Sequence, residues 1–592
     1  METIAAPLPS LVLHGEVDQA SIDPHSITQA WLSNLQHKIS QNQLNDISDL
    51  FISDCWWRDI IALSWDITTK RGTNETAQFL HLHAALSGFG QLNVIDHGAL
   101  QPRLSNMGGL IWIESGFSFE TKVGNGRGIV RLANVGPAEW RAWIVHTNLD
   151  ELRGFAEQSP LEKGDCDKEA DCQVLIIGAG QSGLALAARL KGLGVSALIV
   201  DKSPQIGDSW RQRYESIRSH TPRYTDHFPH LDYPSDYPDF LTKDHIITWM
   251  EHYHKALDLP IELGVTVGKI TYDTSSQQYT VALKSQDGSD RILTPRHLVL
   301  ATGLIGHTPL SPTFSNQSSF TGQIYHSHSH ASARLIPSLS SKKVVIIGAG
   351  TSAFDIAQDF VNNGAKDVTI IQRSPTFVLS LEAQDKFVLA GWNAMATADA
   401  DLVGSSFPVP IALTLLVGAT QMMAQHDAEL LSGLEKAGLA VKRGEDGVGI
   451  LHHQLLKAGH FYIDQGACEM VVDGRIRIKR SEGGVKGFDT NAVVLADGTA
   501  VEADVVVVAT GFKPSSETAR EIMGEEFMAK VGRMGELDEE KERIAWWRPT
   551  AMPGFWYMTG SFLWSRSFSK VLALQIKAVE EGLNPDYYRD LK

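Results

Sequence analysis

The stretch VLIIGAGQSGLA, Val174–Ala185, decides the fold of this chain. Its apolar run VLII is typical of a buried parallel strand, and glycines then occupy the three positions of G-x-G-x-x-G, Gly178, Gly180 and Gly183. The first permits a tight turn, the second lets backbone N–H groups approach a pyrophosphate, and the third lets the next helix pack close to the strand. A second strand ends at Asp201, whose carboxylate suits the ribose hydroxyls of FAD or NAD. The stretch predicts a nucleotide site, although a bare strand–glycine–helix turn can look similar.

A second stretch of the same design, VVIIGAGTSAFD, begins 170 residues later at Val344. It keeps Gly348 and Gly350 and has Ala353 at the third position, which is an accepted variant of the motif. Two nucleotide sites in one chain suit an enzyme in which a nicotinamide delivers hydride to a bound flavin. We therefore expect FAD in the first site and a nicotinamide nucleotide in the second.

The second site is expected to prefer NADPH over NADH. After its second strand, DVTII, the acid is replaced by Gln372, Arg373 and Ser374. A carboxylate there would repel a 2′-phosphate, whereas the planar guanidinium of Arg373 can bind it through two hydrogen bonds. The alternative is that Arg373 is only a solvated arginine at the end of a strand.

Composition excludes several other classes of protein. The chain has 592 residues, too many for one hydrophobic core, so two or three domains are expected. Its net charge of −17 would repel a phosphate backbone, so nucleic acid is not an expected partner. The four cysteines form no CxxC pair, which argues against both a disulfide framework and a two-nucleotide disulfide reductase with a redox-active dithiol.

The pattern of apolar and polar residues changes along the chain. Up to about residue 157 a helical opening around AWLSNLQHKI precedes alternating segments such as GIVRLANV and EWRAWIVHTNL, which predict an α+β domain with antiparallel strands. Beyond a polar stretch the pattern is strand, glycine turn, helix, strand, which is typical of a doubly wound parallel sheet. The predicted fold class is α/β, with two Rossmann-like domains after a small α+β domain. The predicted ranges are 1–157 for the N-terminal domain, 158–172 for a linker, 173–330 with 500–592 for the FAD-binding domain, and 331–499 for the NADPH-binding domain with an insertion at about 381–452.

Further motifs resemble those of the class B flavin monooxygenases, which include the flavin-containing, YUCCA-type and Baeyer–Villiger enzymes. In FTGQIYH, Phe320, Gly322 and His326 match the family signature F-x-G-x-x-x-H-x-x-x-Y/W, while His330 replaces the last aromatic residue. GDSW, LVLATG, GTSAFD and VVVVATGF are similar to the family's nucleotide loops, and His220 lies in an HTP triplet closer to the YUCCA-type pattern than to the N- and S-oxygenating enzymes. The resemblance runs from Cys172 to the C-terminus.

The resemblance implies a function. NADPH would reduce FAD, O2 would add at flavin C4a, and the resulting peroxide or hydroperoxide would transfer one oxygen atom to a small organic substrate, indolic or from secondary metabolism. The alternatives are a Baeyer–Villiger monooxygenase and a flavin-binding scaffold without oxygenase activity. The residues expected to act are His220 and His326 in catalysis, and Gly178, Gly180, Gln181, Ser182, Gly183, Asp201, Lys202, Ser209, Trp210, His220, Thr302, Gly348, Gly350, Thr351, Ser352, Arg373, Thr510 and Gly511 in binding the cofactors; no metal is expected.

Several segments allow more than one interpretation. The N-terminal domain resembles the cone-shaped SnoaL-like fold that precedes some fungal members, and Asp59 and Asp66 could act in a pocket there, although a scaffold or dimerisation role is favoured. The uncharged stretch Phe407–Ala424 is favoured as a buried or lid helix over a membrane span, and the insertion that contains it, at about 381–452, is expected to be a substrate lid or equally a subunit contact. A zinc site at His326, His328 and His330 is disfavoured. No targeting signal is evident, so a cytoplasmic protein without stable membrane insertion is expected, with a homodimer left open.

Overall fold

The computed structural model describes residues 4–15, 18–161, 172–457, 459–585 and 587. Of the predicted linker, 158–172, only 158–161 and 172 are among them; the rest lies outside the described residues. The backbone N–H of Gln158 already donates to the carbonyl of Gly192 at 2.8 Å, so the start of the predicted linker contacts the first nucleotide-binding unit.

The N-terminal domain is a seven-stranded sheet against which two helices pack. Its strands are β1 (Phe51–Ile60), β2 (Ile67–Arg71), β3 (Gly90–Val94), β4 (Arg103–Met107), β5 (Leu110–Glu120), β6 (Gly124–Gly136) and β7 (Glu139–Leu152), and its helices are α1 (Pro24–Ser40) and α2 (Gly72–Ser87). The order is β2-β1-β7-β6-β5-β3, with β4 beside β5 and only β1–β7 parallel. Aromatic side chains fill the interior: Phe51, Trp57, Phe89, Phe117 and Phe119.

This packing gives Asp59 a structural place. The Asp59 carboxylate is fully buried and accepts hydrogen bonds from the backbone N–H groups of Leu63 and Ser64 and from the Thr147 hydroxyl. Burial raises its pKa to about 6. Because every donor comes from the domain itself, Asp59 ties β1 to β7 and to the following turn.

The first nucleotide-binding unit contains a five-stranded parallel sheet. Between Val174 and His326 lie β8 (Val174–Ile177), α3 (Gln181–Gly192), β9 (Ala197–Asp201), α4 (Asp208–Arg211), α5 (Lys243–Ala256), β10 (Ile261–Leu263), β11 (Val265–Asp273), β12 (Gln278–Ser285), β13 (Asp290–Leu293), β14 (His297–Leu300) and β15 (Gln323–His326). The sheet runs β10-β9-β8-β14 and ends on a strand from near the C-terminus, Phe555–Tyr557. The buried runs VLII and HLVL explain why β8 and β14 are central.

The second unit contains a parallel sheet of the same kind. Its strands and the last strand of the chain are β16 (Lys343–Ile347), β17 (Asp367–Gln372), β18 (Thr376–Ser380), β19 (Val441–Lys442), β20 (Phe461–Asp464), β21 (Ile476–Arg480), β22 (Val485–Asp489), β23 (Ala492–Leu495), β24 (Ala500–Glu502), β25 (Val505–Val508) and β26 (Phe555–Tyr557). The helices in the chain from residue 351 onward are α6 (Thr351–Asn362), α7 (Leu381–Gln384), α8 (Ala390–Ala394), α9 (Thr397–Ser405), α10 (Val409–His426), α11 (Ala428–Lys436), α12 (Ile450–His452), α13 (Ala467–Val472), α14 (Ser515–Met523), α15 (Glu525–Val531) and α16 (Phe562–Glu580). The sheet order is β15-β25-β16-β17-β21.

This order corrects two of the sequence-based boundaries. Strands β15 and β25 were placed in the predicted FAD-binding ranges, yet β25 pairs with both β15 and β16 in the second sheet. The correction has a simple cause, since β25 is a fully buried run of four valines that completes the parallel sheet beside β16. The second sheet therefore extends beyond 331–499 at both ends.

Helices α9 and α10 of the insertion join the second unit to the N-terminal domain. Ile411 is fully buried in a cluster with Trp56, Trp112 and Trp143 of the N-terminal sheet, and the backbone N–H of Ala6 donates to the carbonyl of Pro410 at 3.1 Å. Among the described residues of 381–452, none lines the nucleotide cavity described below. The roles expected for this insertion, substrate lid or subunit contact, stay predictions. The first half of the apolar stretch packs against the N-terminal domain through Phe407, Ile411 and Leu415, whereas Met423 packs within the second unit.

A search for helices that could cross a membrane finds no single one among the described residues. Helices α9 and α10 satisfy the length and composition criteria only as a pair, and the pair is bent by 104°.

Candidate active site

The first glycine of each nucleotide turn lies against the end of a neighbouring strand. Gly178 and Gly348 have φ angles of +117° and +121°, in the region that favours glycine. A Cβ on Gly178 would lie 2.4 Å from the carbonyl oxygen of Ala301, and one on Gly348 would lie 2.4 Å from that of Ala509. The two Ala-Thr-Gly segments, Ala301–Gly303 and Ala509–Gly511, here called the first and second ATG turns, therefore contact the two glycine turns in the same way.

The second glycine of each turn faces open space. Gly180 and Gly350 are the N-cap residues of α3 and α6, and a Cβ on either would meet no atom within 4 Å. The first N–H groups of a helix have no partner within the helix and attract anions. Both turns thus fit a pyrophosphate, which needs close approach to the backbone and room in front of it.

The third position explains the one difference between the turns. A Cβ on Gly183 would lie 2.0 Å from the carbonyl oxygen of Gly178, so α3 packs against β8 as closely as glycine allows. In the second unit Ala353 fills this position and is fully buried, so α6 leaves space for one methyl group. The predicted role of Gly183 is this packing, since it does not line the cavity.

One continuous cavity of about 1840 Å³ joins the two turns. Of the predicted residues, the cavity is lined by Gly178, Gly180, Gln181, Ser182, Asp201, Lys202, Ser209, His220, Thr302, Gly348, Gly350, Thr351, Ser352, Arg373, Thr510 and Gly511. Three predicted residues do not line it, namely Gly183, Trp210 and His326. Trp210 instead stacks on Phe562 with ring centroids 5.9 Å apart, and its expected contact with the flavin stays a prediction.

The strand ends beside the two glycine turns carry different side chains. The N–H of Gly178 donates to Val200 and the N–H of Gly348 donates to Ile371, so Asp201 and Gln372 occupy equivalent positions. The Asp201 carboxylate accepts from the N–H groups of Ala179 and Ser203 at 2.7 and 2.8 Å and stays at the cavity wall.

Gln372 is buried and turned away, because its side chain makes two hydrogen bonds to the backbone of Ala440. The next residue, Arg373, is exposed and lines the cavity. Within the described ranges it makes no ion pair. Its guanidinium is therefore available to an anion.

A buried polar contact links the two units beside the cavity. Asp355 on α6 accepts a hydrogen bond from the Tyr214 hydroxyl at 2.6 Å, and its carboxylate lies 3.5 Å from Nε2 of His220. Burial, followed by the negative charge of Asp355, raises the pKa of Tyr214 well above its ordinary value, so the hydroxyl remains a donor. Nδ1 of His220 is buried and has no hydrogen-bond partner among the described residues. This orphaned nitrogen on a cavity-lining ring is consistent with a bound cofactor or substrate nearby.

The family signature has structural roles around the second ATG turn. Nε2 of His326 lies 3.1 Å from the carbonyl oxygen of Gly511, and a Cβ on Gly322 would lie 2.4 Å from that of Asp504. Burial lowers the pKa of His326, which favours the neutral ring. His326 thus contacts the Gly511 turn, and its expected catalytic role stays a prediction.

The three histidines of HSHSH do not converge. Nε2 of His330 lies 2.9 Å from Asp359 and its Nδ1 lies 3.0 Å from the Tyr325 hydroxyl, all buried or half-buried, while Nδ1 of His326 accepts from the N–H of His328. Within the described residues no group of three or more His, Cys, Asp or Glu side chains could hold a metal ion. The departure from the signature at His330 is thus a buried histidine–carboxylate pair.

One wall of the cavity was not predicted in detail. It is formed by residues of the segment Gly535–Trp546 together with Trp564. Aromatic residues are frequent between Trp546 and Phe568, here called the C-terminal aromatic cluster, and of these only Trp546 and Trp564 line the cavity. Arg543 also lines it, with its guanidinium 4.8 Å from the Trp546 ring and hydrogen-bonded to the backbone carbonyls of Gly535 and Leu455.

No carboxylate pairs with Arg543 among the described residues, and burial lowers its pKa to about 10. The other members of the cluster, Trp547, Phe555, Trp556, Tyr557, Phe562 and Phe568, are core residues. Arg543 lies in the charge-rich run 536–543, and nothing in that run indicates that its guanidinium lines a cavity.

Comparison with known proteins agrees with this geometry. Residues 175–393 match the family described as pyridine nucleotide-disulphide oxidoreductase. An indole-3-pyruvate monooxygenase of Oryza sativa subsp. japonica, YUCCA1, is 28% identical over 340 residues, covering 57% of this chain and 76% of that protein. A probable indole-3-pyruvate monooxygenase of Arabidopsis thaliana, YUCCA8, is 28% identical over 362 residues, covering 60% and 78%. The predicted relationship to the class B flavin monooxygenases is confirmed.

Solved structures of flavin monooxygenases share the fold. A cyclohexanone monooxygenase variant from Rhodococcus sp. Phi1, bound to NADP+, superposes with a TM-score of 0.50 at 15% identity, covering 70% of this chain and 86% of that one. A likeness at this identity concerns the fold alone, and it confirms the predicted α/β architecture with two Rossmann-like domains. The SnoaL-like character of the N-terminal domain stays a prediction.

The name of the matching family raises the question of a redox-active dithiol. No cysteine is among the described residues that line the cavity. Cys55 is buried in the N-terminal domain and Cys468 is buried in the second unit. The described wall of the cavity therefore holds no dithiol that could exchange electrons with a flavin.

Proposed function

We propose that this protein is an NADPH- and O2-dependent FAD monooxygenase that transfers one oxygen atom to a small organic substrate. The observation that carries the proposal is the single cavity into which both nucleotide turns open. Its support from relatives is direct, because the matched plant proteins are named as indole-3-pyruvate monooxygenases. A cavity divided by side chains would not let one cofactor reduce the other.

We propose separate roles for the residues of the two turns. Gly178, Gly180 and the N-terminus of α3 would bind the pyrophosphate of FAD, with Asp201 on the ribose; Gly348, Gly350 and the N-terminus of α6 would bind that of NADPH, with Arg373 on its 2′-phosphate. When bound, the flavin supplies the redox chemistry with O2. The protein orients both rings and excludes water from the space between them.

His220 is the one predicted catalytic residue that lines the cavity. We propose that its Nδ1, which lacks a protein partner among the described residues, forms a hydrogen bond to a cofactor or substrate atom, while Asp355 fixes the orientation of the ring through Nε2. A positioned imidazole of this kind can donate or accept a proton within the closed site.

The chemistry of the Gly535–Trp546 wall favours a planar substrate with an anionic group. The Arg543 guanidinium has no acidic partner among the described residues and lies over the Trp546 ring, and Trp564 lines the same cavity. A carboxylate would therefore gain a charge-assisted hydrogen bond, and a flat ring would gain stacking. An indolic 2-oxo acid, the substrate in the names of the plant relatives, has both features. Baeyer–Villiger oxygenation of a ketone is the second candidate, because cyclohexanone monooxygenase shares the fold.

The proposed cellular setting is a role in secondary metabolism in the cytoplasm, without stable membrane insertion and with a homodimer as one assembly. These points rest on the sequence interpretation alone. Subcellular fractionation and light scattering of the purified protein would test them.

The test of the function has two steps. The purified protein should be yellow, and under anaerobic conditions NADPH should bleach the flavin at least about tenfold faster than NADH at equal concentration, because only NADPH offers a 2′-phosphate to Arg373. In air, an ¹⁸O2 incubation with indole-3-pyruvate, ketones and amines should place one labelled atom in a product identified by mass spectrometry. Flavin that NADPH cannot reduce would instead support the scaffold without oxygenase activity.

A further inference from the structure

The segment that forms the unpredicted cavity wall is a hairpin whose base and tip contact different parts of the protein. In residues 535–544, here called the docking hairpin, the N–H of Gly535 donates to Ile544, the N–H of Ile544 donates to Glu536, and Asp538 and Glu542 pair across the turn. Its base lines the nucleotide cavity through Gly535, Glu536 and Arg543. Its tip, Asp538–Glu542, lies against strands β1 and β2 of the N-terminal domain.

The tip is bound by a dense set of charged contacts. Nε and Nη2 of Arg58 on β1 donate to the two carboxylate oxygens of Glu542 at 2.7 and 2.8 Å, and the Thr69 hydroxyl donates to the same carboxylate at 2.7 Å. Arg58 is 7% exposed and Glu542 is 4% exposed, so this pair is shielded from water. Glu540 accepts from the N–H of Thr69 at 2.8 Å and pairs with Lys70.

Two further ion pairs connect the hairpin tip to the N-terminal domain through one arginine. Arg548, just beyond the hairpin, bridges Asp538 of the tip to Asp66 of the N-terminal domain at 2.6 and 2.7 Å. The hairpin thus contacts the N-terminal domain through residues on both of its strands.

The docking hairpin and the three residues after it contain several residues with positive φ angles. Lys541, Ala545 and Trp547 have φ angles of +65°, +67° and +58°, a left-handed conformation that residues with a Cβ seldom adopt. Three such residues within seven positions are not favoured by local preference. Conformations of this kind persist where surrounding contacts hold them in place.

We infer that the N-terminal domain builds part of the active site, by holding the docking hairpin so that Arg543 and Trp546 line the cavity. Arg58 is the central positioning residue, since it forms a bidentate contact with Glu542, the residue next to Arg543 in sequence. Losing that contact leaves a buried carboxylate unpaired and releases the strained turn. The inference rests on the proposed function only in that the cavity is taken to be the catalytic one.

The test compares holoenzymes carrying Arg58→Met, Arg58→Lys and the control Arg153→Met. Arg153 belongs to the same domain, pairs with Glu120 at the surface and does not touch the docking hairpin. In Arg58→Met, hydrogen–deuterium exchange of peptides from 535–548 should speed up about tenfold or more, while peptides from 174–192 should stay as in the parent. Arg58→Lys should restore part of the protection, because an ammonium group keeps the charge but loses the bidentate geometry.

A second readout follows the chemistry. Anaerobic reduction of FAD by NADPH should remain within about twofold of the parent, whereas the H2O2 released per NADPH oxidised in air should rise, because a displaced wall admits water. If Arg58→Met fails to fold, Glu540→Gln decides, since it removes one charge at the half-exposed edge of the same contact and should give a smaller rise in hairpin exchange.

Equal exchange of the hairpin in Arg58→Met and Arg153→Met, or in Glu540→Gln and the parent, would overturn the inference. Failure of the unmodified protein to oxidise NADPH would contradict the proposed function and leave the exchange experiment decisive for the hairpin.

Discussion

Replacing Arg373 by alanine should remove the preference for NADPH while leaving FAD bound. Arg373 follows β17 at the end that carries the second glycine turn, is exposed to the cavity and has no acidic partner among the described residues. The variant therefore loses only its contact with the 2′-phosphate. No buried group is left without a partner in the free enzyme, so stability should change little.

The magnitude follows from the exposure of the side chain. A hydrogen bond to a charged group is worth about 1.5–3 kcal/mol, and screening by salt at an exposed site favours the lower half of that range. A loss of about 1.5–2 kcal/mol corresponds to a rise of roughly 10- to 30-fold in the KM for NADPH. The KM for NADH should stay within about twofold, because NADH lacks the phosphate that Arg373 would bind.

The assay is anaerobic flavin reduction at varied concentrations of NADPH and NADH. Arg480→Ala is a matched control, because Arg480 is the residue paired with Gln372 on the neighbouring strand β21, is exposed and faces Glu482 instead of the cavity. The NADPH selectivity of Arg480→Ala should match that of the parent. An Arg373→Ala enzyme that still prefers NADPH by the same factor would refute the assignment of the 2′-phosphate site.

Two further predictions concern the first nucleotide unit and the cysteines. Gly183→Ala should yield protein without FAD, because the new Cβ would lie 2.0 Å from the Gly178 carbonyl oxygen, whereas Ala353→Gly should keep the KM for NADPH within about twofold; flavin absorbance and reduction kinetics check both. Burial raises the pKa of Cys55 to about 11 and that of Cys468 well above its ordinary value, so iodoacetamide at pH 8 should label neither in the native protein, and peptide mass spectrometry showing rapid labelling would contradict their burial.

The nucleotide turns were predictable because their chemistry is local. Strand, glycines and helix follow one another within a dozen residues, so steric rules alone place Gly178 and Gly348 in left-handed turns and open the helix N-termini toward an anion. The contrast between Asp201 and Gln372 at the equivalent strand ends was predictable for the same reason. Sequence also identified strands β5, β6 and β7 of the N-terminal domain, where apolar and polar residues alternate in segments such as IWIESGFSFETK.

The rest depends on contacts between residues far apart in sequence. Nothing local assigns β15 and β25 to the second sheet, because a buried run of valines suits either parallel sheet and its partners lie about 160 residues away along the chain. The segment ELDEEKER, 536–543, resembles a solvated charged loop, yet Glu542 is buried against the N-terminal domain and Arg543 is half-buried at the cavity wall. A charge pattern reports average exposure and cannot show which charges will meet a partner.

The carboxylates of α6 explain how two separately built nucleotide turns come to share one cavity. Asp355 accepts a hydrogen bond from Tyr214 and lies 3.5 Å from His220, both in the first unit. Asp359 accepts from the N–H of Ala333 at 2.7 Å and pairs with His330, so it fixes the segment between β15 and β16 against the same helix. Apolar contact between the units would tolerate sliding, whereas buried hydrogen bonds are lost within a few tenths of an ångström. Because hydride transfer requires two rings to meet at van der Waals distance, directional polar contacts suit the orientation of the units better than apolar area does. The buried carboxylates on α6 therefore serve the reaction through geometry, although neither needs to touch a reacting atom.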